Sequence, residues 1–128
     1  MKPIFIFYVS DQNKSRDFYR KVLDINPILD VPGMTEFRLN DGSVLGLMPV
    51  AGIKKLLGDK LPDPVQANGI PRSELYISVD RPNDFHQRAL LAGAVELSPV
   101  ENRDWGEAVA YSIDSDGHVL AFGGPLLK

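Results

Sequence analysis

Ile4-Phe5-Ile6-Phe7-Tyr8-Val9-Ser10-Asp11, followed by Ser15-Arg16-Asp17-Phe18-Tyr19-Arg20-Lys21-Val22-Leu23, decides how this chain is read. The first run is rich in β-branched and aromatic residues and predicts a strand over 4–9. It is too short to span a bilayer. It lacks a small-residue cleavage site, and a polar run follows at once, so a buried strand is the better reading than a signal peptide. The default compartment is then the cytoplasm. Asp11 or Asn13 is placed to cap a helix over 15–23, where Phe18, Val22 and Leu23 fall on one face. Asn26-Pro27 ends it. Strands are expected over 35–39 and 44–48, with a further one around 28–31. Asn40-Asp41-Gly42-Ser43 joins the first two, with Gly42 expected to supply a positive φ.

The same order returns later in the chain. Residues 74–79 read as a strand, and Asp80 and Pro82 as the start of a helix over 83–92, Pro82 sitting where a missing N–H costs nothing. Phe85, Ala89 and Ala92 share a face, and Gly93 is a natural stop. Residues 95–97, 108–113 and 119–122 read as three more strands, with Asp114-Ser115-Asp116-Gly117 turning between the last two. Phe7-Tyr8-Val9-Ser10 is echoed by Leu75-Tyr76-Ile77-Ser78, and Phe18-Tyr19-Arg20 by Phe85-His86-Gln87, at an offset of about 67 to 69 residues. The chain is expected to be one domain of two βαβββ modules, about 1–48 and 73–128. A Pro/Gly-rich linker over about 49–72 joins them, with one or two helical turns at 53–57.

Composition narrows the function. A length of 128 residues with 44% hydrophobic content suits a globular domain with a real core. The net charge of −3 argues against a nucleic-acid partner, which normally meets a basic surface. Lys54-Lys55 reads as a solvated loop. There is no cysteine, which excludes disulfides, thiolate nucleophiles and cysteine metal sites. No membrane partner is expected.

Three stretches together resemble the vicinal oxygen chelate superfamily, which includes glyoxalases, bleomycin-resistance proteins and extradiol dioxygenases. They are residues 7–23, the strand Leu75-Tyr76-Ile77-Ser78-Val79-Asp80, and Asp104-Trp105-Gly106-Glu107 running through Tyr111 to Asp114-Ser115-Asp116-Gly117-His118-Val119-Leu120. The resemblance implies an α+β glyoxalase-like fold, with mixed sheets curving around a central cavity. It also implies a homodimer. It does not choose an activity, because one fold hosts many.

Metal-dependent members carry His, Glu or Gln at four positions, which the resemblance places on Ile4, Gly46, Glu74 and Ala121. Only Glu74 has a donor atom, and one carboxylate does not hold Zn or Ni. A slip of one residue nominates Phe5, Leu45 or Leu47, and Leu120 or Phe122, which are no better. No metal and no other cofactor is therefore expected. His86 reads as a surface residue of its helix, and His118 as a turn residue. Asp114 and Asp116 resemble the start of a calcium loop, but the closing glutamate would fall at Pro125. Gly123-Gly124-Pro125 does not precede a helix and fails as a phosphate loop.

Strand alternation puts Ile4, Ile6 and Tyr8 on one face and Phe5, Phe7 and Val9 on the other. Glu74, Tyr76 and Ser78 likewise oppose Leu75, Ile77 and Val79. The mixed sets suit a ligand cavity. The expected ligand-binding residues are Glu74, Tyr76, Ser78, Tyr8, Ile6 and Trp105, with no catalytic residue assigned. Glu74 is either an anionic anchor or base, or an ion-pair partner of Arg72, Arg38 or a residue across the sheet. Trp105 either stacks on a flat ligand or anchors its loop, and Arg103, Asp104 and Glu107 beside it read as solvated. The favoured function is metal-independent binding of a small molecule, sequestering a cationic or aromatic compound. The alternatives are a lyase, isomerase or dioxygenase with an unmatched site, and a ligand-free structural or regulatory dimer.

Overall fold

The computed structural model describes all 128 residues. Strand β1 (Ile4–Val9) leads into helix α1 (Gln12–Leu23), then β2 (Leu29–Val31), β3 (Met34–Asn40) and β4 (Ser43–Pro49). Helix α2 (Val50–Leu57) and two short 3-10 turns, Gly58–Lys60 and Pro64–Ala67, follow. Strand β5 (Glu74–Ser78), helix α3 (Pro82–Leu91), β6 (Val95–Asn102), β7 (Ala108–Ile113) and β8 (Val119–Gly124) repeat the βαβββ order. The strands form two four-stranded mixed sheets, ordered β1-β4-β3-β2 and β5-β8-β7-β6. In each, the first strand runs parallel to the last and the other pairs are antiparallel. The chain is thus α+β with two βαβββ modules, and it divides into two compact units, Met1–Ala67 and Asn68–Lys128.

In the first unit, the Asp11 side chain accepts from Lys14 N at 3.0 Å, which starts α1 at Gln12 rather than at Ser15. Tyr19, Val22 and Leu23 are buried on one side of the sheet with Phe7, Val9, Phe37, Leu45 and Leu47. Phe7 and Tyr19 rings lie 6.1 Å apart. Each such side chain contributes on the order of 1.5–3 kcal/mol by leaving water. Phe5 alternates onto this side too, yet it is 57% exposed. Gly42 does not adopt the expected positive φ. Asn40 makes the turn instead, its Oδ1 accepting from Gly42 N and Ser43 Oγ at 2.9 and 2.8 Å.

The linker is more ordered than its prolines and glycines suggested. Ile53, on α2, is buried. Lys54 is not a solvated residue: its Nζ donates to the carbonyls of Gly58 and Leu61 at 3.1 and 2.6 Å, satisfying acceptors where the helix ends.

In the second unit, Pro82 takes the first helical position of α3. Arg81 therefore occupies the cap position and Asp80 lies one residue outside it, so Asp80 is not the cap. The helix stops at Gly93, whose φ is +115°. Phe85 packs on Phe122 with ring centroids 5.4 Å apart. His86 corrects the sequence reading outright, being fully buried rather than on the surface. One of its ring nitrogens, Nε2, lies 2.8 Å from Glu96 Oε2 on β6, so the helix presents this polar ring to the sheet. Strand β6 continues past residue 97 to Asn102, with register irregularities on both sides of Ser98.

Candidate functional site

The helix-free face of the second sheet follows from strand register. Glu74 pairs with Val119, Tyr76 with Ala121 and Ser78 with Gly123. Across β8, Ala121 faces Tyr111 and Gly123 faces Val109. Directly paired residues point the same way. Tyr76 and Tyr111 therefore flank Ala121 on the side opposite Phe122 and Phe85.

Four side chains converge there. The Tyr76 hydroxyl donates to Glu107 Oε1 at 2.5 Å. The Trp105 indole N–H donates to the same Tyr76 oxygen at 3.1 Å. Ser78 Oγ makes only a long contact, 3.5 Å, with the second Glu107 oxygen. The turn carrying Trp105 and Glu107 is closed by Arg103 N donating to Glu107 O at 2.8 Å, with Gly106 at φ +93°. Beneath them lies Gly123. A Cβ added there would meet Tyr76 Cζ at 2.8 Å and Glu107 Oε1 at 3.0 Å.

Electrostatics keep both phenols protonated. Burial first, and then the Glu107 carboxylate, raises the Tyr76 pKa, while the Trp105 N–H pulls the other way. Burial and then Glu74 raise that of Tyr111, with Arg103 opposing. The Arg103 guanidinium lies over the Tyr111 ring at 5.2 Å. It also donates to Ser98 Oγ and Val109 O at 2.6 and 3.0 Å and pairs with Glu101 at 3.3 Å.

Of the residues nominated from sequence, the structure brings Tyr76, Ser78 and Trp105 together. Trp105 is 57% exposed, so it is not a buried loop anchor. Glu74 lies farther along β5, exposed, with neither of the expected ion pairs to Arg72 or Arg38. Ile6 and Tyr8 belong to the first unit, on the helix-free side of its own sheet. Glu107 was missed, and neither it nor Arg103 is a solvated loop residue. A glycine inside β8 was the available clue, since a bare strand position marks close approach by a neighbour.

The residues do not fit the metal that glyoxalase-like chemistry would use. Ile4, Gly46 and Ala121 have no donor atoms, and no three His, Cys, Asp or Glu side chains cluster to hold an ion. At Gly46 the nearest neighbours of an added Cβ are Ile6, Met34 and Ile4 side chains, an apolar surround. A surface cavity of ≈ 430 Å³ beside the start of α1 is braced by groups already paired. Gln12 spans Val31 O, Thr35 Oγ1 and Gly33 N there, and Arg16 pairs with Asp17 and Asp30. What the Tyr76 cluster offers chemically is an acceptor-only carboxylate, held in place, beside an exposed flat ring.

Comparison with known proteins agrees with the architecture. The model of the Glyoxalase/Bleomycin resistance protein/Dioxygenase superfamily matches residues 3–122. Uncharacterized proteins of Mycobacterium bovis and Mycobacterium tuberculosis are 28% identical over 127 residues, covering 92% of this chain and 79% and 71% of theirs. Among solved structures, a glyoxalase-related enzyme from Fulvimarina pelagi superposes with a TM-score of 0.81 at 21% identity, covering 97% of this chain and 87% of that one. A glyoxalase/bleomycin resistance protein/dioxygenase from Nocardioides gives 0.77 at 16% identity, covering 98% and 83%. These structural likenesses carry the fold. With the family match across nearly the whole length, the chain belongs to the glyoxalase/bleomycin resistance protein/dioxygenase superfamily.

Proposed function

We propose that this protein binds a small molecule without a metal, on the helix-free sheet face of its second unit. Glu107, Tyr76, Trp105 and Ser78 form the contact, and Glu74 adds a second carboxylate along β5. The observation that carries this reading is the Glu107 carboxylate, engaged through one oxygen by Tyr76 and only distantly approached at the other. Such a group accepts hydrogen bonds and repels anions, so the ligand is a donor or a cation. The exposed indole of Trp105 adds a face for a planar ring. Sequestration of a cationic aromatic compound, without chemistry, meets both requirements. The absence of donors at Ile4, Gly46 and Ala121 favours this over metal-dependent lyase or dioxygenase chemistry.

The reading includes a homodimer. Ile4, Ile6, Tyr8, Leu29 and Val31 share the helix-free face of the first sheet and are all more than a third exposed. An apolar surface of this kind suits burial against a partner.

A thermal-shift screen against divalent metals, cationic aromatic antibiotics and thiol-conjugated aldehydes tests the function. The expected result is stabilisation by a cationic aromatic compound that is lost in Glu107→Gln, because binding raises Tm by mass action. Stabilisation only by a metal, or turnover of a bound compound, would refute it.

A further inference from the structure

We infer that Tyr76 is the positioning residue of this site, one hydroxyl setting both the anionic anchor and the stacking ring, with Gly123 as the bare floor that permits it. This rests on the ligand-binding reading above for its functional meaning, but the positioning itself is a property of the unliganded chain. A phenol has one proton to give and lone pairs to receive. Tyr76 gives its proton to Glu107 and receives one from Trp105. Glu107 and Trp105 lie on a turn whose backbone is closed by its own hydrogen bonds, Arg103 N to Glu107 O and Gly106 N to Arg103 O. The turn thus keeps its path without Tyr76, while the directions of the carboxylate and the indole depend on that one oxygen. Recognition of charge and of a flat ring are therefore coupled through Tyr76.

Gly123 decides whether the coupling exists. It pairs with Ser78 on one side and Val109 on the other, so any side chain there rises between Tyr76 and Glu107. The atoms an added Cβ would meet are the far end of the Tyr76 side chain and a Glu107 oxygen, not backbone. Gly123→Ala consequently leaves the strand in place and swings Tyr76 off its partners. Gly123 is a specificity-determining position in this sense.

Trp105 is the sole tryptophan, so its fluorescence reports the arrangement directly. Tyr76→Phe is expected to raise acrylamide quenching and lower the anisotropy of Trp105, since losing one ordinary hydrogen bond shifts a local open–closed equilibrium about fivefold. Gly123→Ala should reproduce that change. Glu107→Gln keeps an acceptor for the Tyr76 hydroxyl and should keep the wild-type signal. Wild-type fluorescence in Tyr76→Phe or in Gly123→Ala would overturn the inference. Benzamidinium, a planar donor cation, serves as the binding probe. Weaker binding to Tyr76→Phe supports the coupling, and equal binding refutes it. If benzamidinium does not bind the wild-type protein while Tyr76→Phe still frees Trp105, the positioning stands and this ligand class falls.

Discussion

Tyr76 and Glu107 meet at 2.5 Å although strand β8 lies between β5, which carries Tyr76, and β7, which Glu107 precedes. The bond exists because Gly123, on that intervening strand, has no side chain to keep them apart. One missing methyl group thereby joins the two ends of the candidate site.

The neighbouring glycine should behave differently. A Cβ at Gly124 would meet Val79 O at 2.5 Å and Pro82 Cδ at 2.7 Å, backbone and a rigid ring rather than a movable tip. Gly124→Ala is expected to cost about 1–3 kcal/mol by overpacking. Gly123→Ala should cost less than Gly124→Ala. Urea unfolding of both variants checks the order, and a reversed order would contradict this account of the packing.

Alkaline pH should loosen the second unit. Tyr76 and Tyr111 have folded pKa values raised above the ordinary 10.0. Protonated phenols are thus favoured in the native state. Their contribution is fully present below the unfolded value and is lost as pH rises through the folded one. Tm measured from roughly pH 8 to 11 should fall more gently in Tyr76→Phe than in the wild type. An unchanged slope would remove Tyr76 from this linkage.

The core of the second unit rests on Phe122, which is 1% exposed and packed against Phe85. Phe122→Ala should destabilise the protein by about 3–5 kcal/mol. Chemical denaturation gives this value directly, and a loss well below about 2 kcal/mol would mean that the site collapses onto the cavity.

In the first unit, Gln12 holds the β2–β3 turn through Val31 O, Thr35 Oγ1 and Gly33 N at 2.8, 2.9 and 2.9 Å. Gln12→Ala leaves Thr35, which is wholly buried, with one fewer partner. The expected cost is about 1–2 kcal/mol. Amide exchange at Gly33 should quicken in the variant, and unaltered protection would show that the turn does not need Gln12.

The sequence made the repeat legible because Ile4 to Val9 and Glu74 to Ser78 carry both strand composition and alternation, and neither signal needs tertiary information. Turn residues were less legible. Gly42 looked like a positive-φ glycine, but the Asn40 side chain does its work. His86 looked exposed because it follows the apolar Phe85, whereas Glu96 supplies a partner ten residues away that helix periodicity cannot reveal. Glu107 was hidden for a similar reason. Preceded by Gly106, with Arg103 and Asp104 just upstream, it reads as loop, and only the register placing Gly123 beneath it brings it to Tyr76. Trp105 stands out in the sequence as the sole tryptophan, but its hydrogen bond to Tyr76 depends on the same register.

The most direct measurement is the NMR spectrum of the single Trp105 indole N–H, titrated with a panel of planar cationic aromatic compounds in metal-free buffer. At least one compound is expected to shift this resonance and the backbone amides of Gly106, Glu107 and Ala108 without added metal, and Glu107→Gln to abolish the shift. A panel that leaves the resonance unmoved, or shifts it equally in Glu107→Gln, would contradict it.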